Sequence, residues 1–446
     1  MKRTALLLIV LAGAALRITQ LGEHSLWLDE SFTYFRALSL WNGAAILPDS
    51  PFQLRHLLWD VLQTPWVGLI PQEIGLRWLA AVSSITAVAL AFAVGRHIAG
   101  YRAGLLAALV VAAAPVQIQY AQQARQYALV ATLGLLLVWV ALLSQRWSWA
   151  RLAVPVTAAL LTMLHVVSAM FAGLVGIFLL LGGSRRVRPS AVLTLVLVGV
   201  FGGGIIFLET RRPAVGWIEP TTPSDVFAYW QLAAGASLTD HTIIPLTCAW
   251  FALLALTLVI GYIATHLLRS GPPEGWLVVG LALLPAAAVL AASALVQPLF
   301  VPRYLLSSLV VTHLLIGLAL DWLLTRAPVV GRILSIALIG FAFVVTLLLH
   351  TNDDLQRADW RGAVEVVASD YQPGDVMLTI YLSPVLYYTA QRPGEFTIIQ
   401  PPPEAGIADQ ARATVAQGGR AWILAPLAPD FPEPESPEEW FEPTMG

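Results

Sequence analysis

Long apolar runs set the rhythm of this chain. Runs of roughly eighteen or more residues, rich in Leu, Val, Ala and Ile, recur from end to end, and each is long enough to cross a hydrocarbon core of about 30 Å. They predict eleven membrane-spanning helices, near residues 3–20, 76–97, 102–119, 127–145, 150–164, 167–182, 189–208, 242–267, 275–297, 304–325 and 329–350. The stretch 150–182 is short for two spans, so it predicts two short helices that turn near His165. The first run follows Met1-Lys2-Arg3 without a small-residue cleavage site, and it reads as a retained helix rather than a cleaved signal peptide.

Three polar stretches interrupt the rhythm. The loop 21–75 holds an amphipathic stretch around Ser31–Leu40 and an apolar stretch, Leu57–Ile70. Asp60, Gln63 and Pro65 break the latter, which makes it an interfacial helix rather than a span. The second stretch, 209–241, is rich in Pro, Thr and aromatic residues. In the third, 351–446, the pattern alternates: helix Asp359–Asp370, a QPGD turn, strand Val376–Tyr381, helix Pro384–Thr389, strand Phe396–Ile399, helix Ile407–Gln417 and strand Ala421–Leu424. The expected fold class is an α-helical polytopic membrane protein of about eleven transmembrane helices with a small external α/β C-terminal domain. Residues 1–350 form the membrane domain with external loops 21–75 and 209–241. Residues 351–429 form the α/β domain, and 430–446 an acidic, proline-rich, disordered tail.

Composition agrees with a membrane protein. Hydrophobic residues make up 58% and charged residues 12%, against roughly 45–50% and 25% in soluble proteins. An N-terminus inside puts Arg96, Arg102, Arg146, Arg151, Arg185, Arg186, Arg188, Arg269, Arg326 and Arg332 in cytoplasmic loops. The carboxylates before residue 350 lie outside, except Glu274 and Asp321. Any chemistry is therefore external. Cys248 is the only cysteine, so an intramolecular disulfide and a thiolate metal site are excluded. A net charge of −2 gives no case for nucleic acid binding.

Asp29 and Glu30, in WLDESFTYFR, stand side by side beyond the first span. Paired carboxylates there fit acid/base or metal-assisted chemistry at the bilayer face. The competing reading is an N-cap and first-turn acid of a helix that starts at Ser31. QIQYAQQARQYAL crowds Gln119, Tyr120, Gln122, Gln123, Arg125 and Tyr127 together, and QPLFVPRYLL puts Arg303 and Tyr304 at the start of the tenth span. Arg211 and Arg212 follow the seventh span. An interfacial arginine either snorkels to lipid headgroups or forks a bound phosphate.

These motifs carry a resemblance. LWLDESFTYFRA resembles the first-loop motif of the GT-C glycosyltransferases related to protein O-mannosyltransferases and lipid A aminoarabinose transferases, with family 39-like bacterial members. The stretch from EIGLRWLAAV to QYAQQARQYAL, then TMLHVVSAMF, VPRYLL and DWRGAVEVVASDYQPGDVML, continues the likeness in the same order. It implies a GT-C fold and an enzyme that takes a sugar from a polyprenyl-phosphate donor. The acceptor, a lipid, glycan or protein, lies on the external face of the cytoplasmic membrane.

By that resemblance Asp29 matches the general base, and Glu30 the residue that orients the acceptor, holds Asp29 or ligates a divalent cation. Arg303, Arg125, Tyr304 and Arg211 are matched to the donor phosphate. Tyr120, Gln123, His165 and Asp49 are matched to the substrate pocket. A lipid-phosphate leaving group calls for arginine rather than a protonated acid. Two departures count against a metal. Asp49-Ser50-Pro51-Phe52 stands where many members carry His-Pro-Pro, and Gln123 stands where many carry Glu. An amide is neither a base nor a strong metal ligand. The competing reading is a non-enzymatic lipid-linked-sugar binder or transporter, or an inactive relative; the polar residues gather at one face rather than at mid-bilayer, which favours the enzyme.

Overall fold

The computed structural model describes residues 2–43, 56–209, 218, 220–235, 245–352, 358–390, 392, 394–401 and 406–424. Each of the eleven expected spans coincides with an apolar helix. By length and composition seven can cross a membrane: Glu73–Ala99, Tyr127–Ser144, Arg188–Phe207, Thr247–Leu267, Pro273–Leu295, Pro302–Arg326 and Pro328–Thr351. Tyr101–Ala113 and Pro115–Ala121 make an eighth if the pair, bent by 59°, is one span. Thr4–Ile18, Ser148–Leu164 and Ser168–Gly182 are apolar but shorter. Helices are what an apolar chain must form in lipid, where every backbone N–H and C=O needs an internal partner. The chain is a multi-pass membrane protein.

Two compact units divide it. One comprises residues 1–21 and 37–355, the other residues 22–36 and 356–446. The division falls inside the helix Leu28–Trp41, after Arg36.

In the membrane unit, helix Leu306–Arg326 is central, with every residue from Leu306 through Asp321 buried. Small residues let backbones in this unit approach one another closely, as in other membrane bundles. A Cβ at Gly317 would meet the Ala107 backbone at 2.5 Å, and one at Gly104 would meet the Phe92 carbonyl at 2.7 Å.

The bend before Pro115 has an identifiable cause and an identifiable compensation. Proline has no N–H to offer the Val111 carbonyl, so the helix breaks there. Arg17, fully buried, reaches across from the first helix. Its Nη2 donates to the Val111 carbonyl at 3.0 Å and its Nη1 to the Ala112 carbonyl at 3.0 Å. Its remaining bonds go to Gly13 O and Ser84 Oγ. Thr346 Oγ1 donates to the Ala113 carbonyl. A cation at a helix C-terminus also meets the favourable end of the macrodipole. The guanidinium is thus part of the scaffold.

The segment 209–241, expected as an external loop, contains the helix Pro223–Ala233, opened by a Thr222–Asp225 capping box. Tyr229 Oη donates to the Ala282 carbonyl at 2.8 Å and lies 2.8 Å from Thr312 Oγ1, while His313 Nε2 is 3.3 Å from the Leu232 carbonyl. This helix therefore packs against the middle of two long helices. The stretch 57–70 is helical over Leu57–Leu69.

In the second unit a parallel sheet runs in the order β2-β1-β3 (β1 Val376–Thr379, β2 Ile398–Ile399, β3 Ala421–Leu424). The helices Trp360–Asp370, Leu382–Thr389 and Gly406–Ala416 alternate with the strands in the expected order. Trp360, Val364, Val367, Met377, Val385 and Leu424 form its core. Buried Asp375 closes the QPGD turn, where Gly374 takes φ +99°. It accepts from Arg420 Nη2 at 2.7 Å and from Trp422 Nε1 at 3.1 Å. The Arg420 guanidinium holds the Asp375 carboxyl well below the usual carboxylate range.

Candidate functional site

The acids lie in the second unit. The helix that carries them begins at Leu28, not at Ser31 as the amphipathic pattern predicted, so Asp29 and Glu30 both stand in its first turn. The reason is the cap. Glu30 is buried, and its Oε2 accepts the Trp27 backbone N–H at 3.3 Å. That is the reciprocal half of a capping box, in which an acid three residues into a helix holds the residue before it. Asp29 is half-buried beside it, and its carbonyl accepts from Thr33 Oγ1 at 3.1 Å.

Residues far along the chain clamp this turn within the same unit. Tyr388 Oη accepts the Leu26 N–H at 2.6 Å. Ser31 Oγ donates to Ser383 Oγ at 2.9 Å, and Ser25 Oγ bridges the Ala358 carbonyl and the Trp360 N–H. Arg361 donates to the carbonyls of Gly22 and Glu23. Tyr34 meets Tyr387 edge-to-face, with centroids 4.7 Å apart. Asp29 is therefore carried on a rigid turn.

The basic and aromatic residues lie in the membrane unit, where the structure brings most of the predicted set together. Tyr120, Tyr127, His165 and Tyr304 form one continuous row, with successive ring centroids 5.1, 5.9 and 4.8 Å apart. The Arg125 guanidinium lies 6.0 Å from the Tyr127 ring centroid, and that of Arg303 lies 6.0 Å from Tyr304. These are within the range of a cation–π contact. Three breaks in helical structure deliver the members. Tyr120 and Arg125 follow the Pro115 bend, His165 ends the helix Ser148–Leu164, and Arg303 and Tyr304 occupy the 3-10 turn Pro302–Leu305.

The loop between Ala121 and Tyr127 is pinned from the helix Leu57–Leu69. Trp59 Nε1 donates to the Ala124 carbonyl at 3.2 Å, and Gln126 Nε2 lies 3.4 Å from His56 Nδ1. Gln123 is buried in that loop, and its Oε1 has no hydrogen-bond partner among the described residues. Tyr127, absent from the predicted site, links the two ends of the row. Its signal was position: it is the first residue of its helix and follows Arg125 in the same polar cluster. Trp59 and His56 left no signal in their local pattern. Asp49 and Arg211 lie outside the described residues, as does the tail 430–446.

Among the described residues, no group of three or more His, Cys, Asp or Glu side chains could hold a metal ion. Glu30, the one ligand suggested for a divalent cation, has its Oε2 on the Trp27 amide.

No protein-family model matches the chain. No curated protein matches it. Solved structures do. ArnT from Cupriavidus metallidurans in the apo state superposes with a TM-score of 0.59 at 12% identity, over 88% of this chain and 85% of ArnT. The same protein bound to undecaprenyl phosphate gives 0.56 at 13% identity, over 94% and 89%. The Archaeoglobus fulgidus oligosaccharyltransferase AglB, in complex with an inhibitory peptide and a dolichol-phosphate, gives 0.54 at 12% identity over 91% of this chain. The chain spans 65% of that protein's length. At such identities the likeness speaks for architecture, and the architecture common to these structures is the GT-C fold, which this chain has.

Proposed function

We propose that the protein is a membrane glycosyltransferase that moves a sugar from a polyprenyl-phosphate donor to an acceptor on the external face of the cytoplasmic membrane. The observation that carries this reading is the row Tyr120–Tyr127–His165–Tyr304 with a guanidinium against each of its last and second rings. Arginine forks suit a phosphate, and aromatic faces suit the sugar and the prenyl stem. The fold likeness adds support, since ArnT is known bound to undecaprenyl phosphate and AglB to a dolichol-phosphate.

The chemistry divides between the residues as follows. The acceptor hydroxyl gives its proton to the Asp29 carboxylate as its oxygen bonds to the anomeric carbon. The bond from that carbon to the phosphate oxygen breaks, and the electron pair leaves with the polyprenyl phosphate. One displacement inverts the anomeric centre. Arg125 and Arg303 hold the departing phosphate, with Tyr304 beside it, and Arg211 is assigned to the same phosphate. Their charge makes a protonated acid at the leaving group unnecessary. Tyr120, Gln123, His165 and Asp49 contact the sugar or acceptor. Glu30 acts through Asp29: by capping the helix it fixes the turn that carries the base. The arginine bias of the predicted loops supports an external site.

The test is transfer itself. Purified protein given a synthetic polyprenyl-phosphate sugar and an envelope extract should release polyprenyl phosphate, with the sugar appearing on an acceptor and its anomeric configuration inverted. Absence of release with every polyprenyl-phosphate sugar tried, from folded protein, would overturn the reading.

A further inference from the structure

At the end of the membrane bundle opposite Arg303 lies a half-open cavity of about 420 Å³. The helix Leu306–Arg326 runs between the two, and its 21 residues make roughly 32 Å at 1.5 Å per residue. The cavity therefore belongs to the other membrane face. Tyr262, His266, Asp321, Trp322 and Arg326 line it. None of them has a part in the proposed transfer.

Its chemistry is mixed in sign and specific in placement. Asp321 is pinned through one oxygen: Arg102 Nε donates to Oδ1 at 2.5 Å, and Arg102 Nη2 also donates to the Asp321 carbonyl. No hydrogen bond among the described residues engages Oδ2. Rings line the same cavity as this carboxylate, with Tyr262 6.1 Å from Trp322 and 5.3 Å from His266. The helix carrying Tyr262 and His266 widens there into a π turn, Ile263–Leu267. Tyr262 and His266, four apart, share the helix face on the cavity, and π bulges recur at functional sites. Arg326 supplies a guanidinium on the same wall.

A carboxylate oxygen beside aromatic faces is a receptor for an ammonium, and an arginine fork is one for a phosphate. A ligand that carries both, two carbons apart, at headgroup depth is an aminophospholipid. We propose that this cavity binds the headgroup of a phosphatidylethanolamine-type lipid, with its ammonium at Asp321 between the Tyr262 and Trp322 rings and its phosphate at Arg326. A choline headgroup has no N–H to give Asp321. A glycerol headgroup offers no cation to Asp321, and its hydroxyls give that carboxylate only neutral hydrogen bonds.

The test is lipid binding to the whole protein in detergent, read by native mass spectrometry with phosphatidylethanolamine, phosphatidylcholine and phosphatidylglycerol of equal chain length. The ethanolamine lipid should bind about tenfold or more tightly than the other two, as one charged hydrogen bond implies. Asp321→Asn should erase that preference, and Arg326→Gln should weaken all three lipids. Because Asp321 also holds Arg102, Tyr262→Leu is the second variant; it should lower the preference and leave the Arg102 contact in place. Equal binding of ethanolamine and glycerol lipids by the wild type overturns the proposal. So does a preference that survives in both variants, and so does displacement of the bound lipid by free phosphoethanolamine at the same concentration.

Discussion

The turn at Asp29 and the aromatic row at Arg303 make a pair that differs in almost every respect. The turn is acidic and held by hydrogen bonds from residues more than three hundred positions away, such as Ser383 and Tyr388. The row is basic and aromatic, and its members come from three helix breaks in the bundle. A group that must take a proton needs fixed direction, which a capped and clamped turn gives it. Groups that must hold a diffuse phosphate charge need donors and ring faces at headgroup depth. The difference teaches that rate and donor affinity should be separable by mutation.

The largest effect expected is on rate. Asp29→Asn should lower turnover by about 10²–10⁴ while leaving donor affinity as it is, measured as kcat and KM from initial rates. An amide keeps the shape and cannot take the proton. A rise in KM with unchanged kcat would break the comparison. Arg303→Lys comes next. An ammonium cannot fork a phosphate, so loss of about one charged hydrogen bond should raise donor KM by roughly tenfold to a hundredfold, with a smaller change in kcat. Glu30→Gln sharpens the first arm. An amide oxygen still accepts the Trp27 N–H but more weakly, so kcat should fall less than in Asp29→Asn, and KM for the donor should hold.

A further prediction concerns the scaffold. Arg17→Met leaves the Val111 and Ala112 carbonyls without donors in an apolar bundle, a cost of at least about 2 kcal/mol. Thermal unfolding of the purified protein should shift down accordingly, and Gly317→Val, which drives a side chain into the Ala107 backbone, should do the same.

The smallest effect belongs to the α/β unit. Arg420 depresses the Asp375 carboxyl, so the ionised form is the one the fold favours. The stabilisation is present above the unfolded value of about 3.9 and is lost as pH falls through the lower folded value. Hydrogen exchange of the β3 amides should quicken as pH drops below about 4, after correction for intrinsic rates, and Asp375→Asn should flatten that dependence. An unchanged slope in the variant would assign the acid sensitivity to another group.

Much of this was legible in the sequence, for a physical reason. Lipid demands helices, so an apolar helix stands at each predicted run, and seven of them, or eight with the bent pair, are long enough to cross a membrane. The α/β order of 360–424 followed from period and turn residues such as Gly374. The polar cluster from Gln119 to Tyr127 and the VPRYLL turn pointed to the row, although Tyr127 gained its place only in three dimensions. What escaped was long-range. Nothing local in 22–36 says that Ser31 bonds Ser383 or that Arg361 holds Gly22. Pro and Thr made 209–241 look like a loop, whereas Tyr229 and Leu232 carry a helix into the bundle. The start of the acid helix at Leu28 depended on a cap supplied by Glu30 itself.

The claim at the centre is that a polyprenyl phosphate is held at Arg125 and Arg303, and mass spectrometry of lipid carried through purification tests it most directly. Wild type and Asp29→Asn should both retain a polyprenyl phosphate or its sugar ester, and the double variant Arg125→Gln, Arg303→Gln should lose it. Equal retention by the double variant, or a wild type that carries no polyprenyl lipid even when one is supplied, would contradict the account.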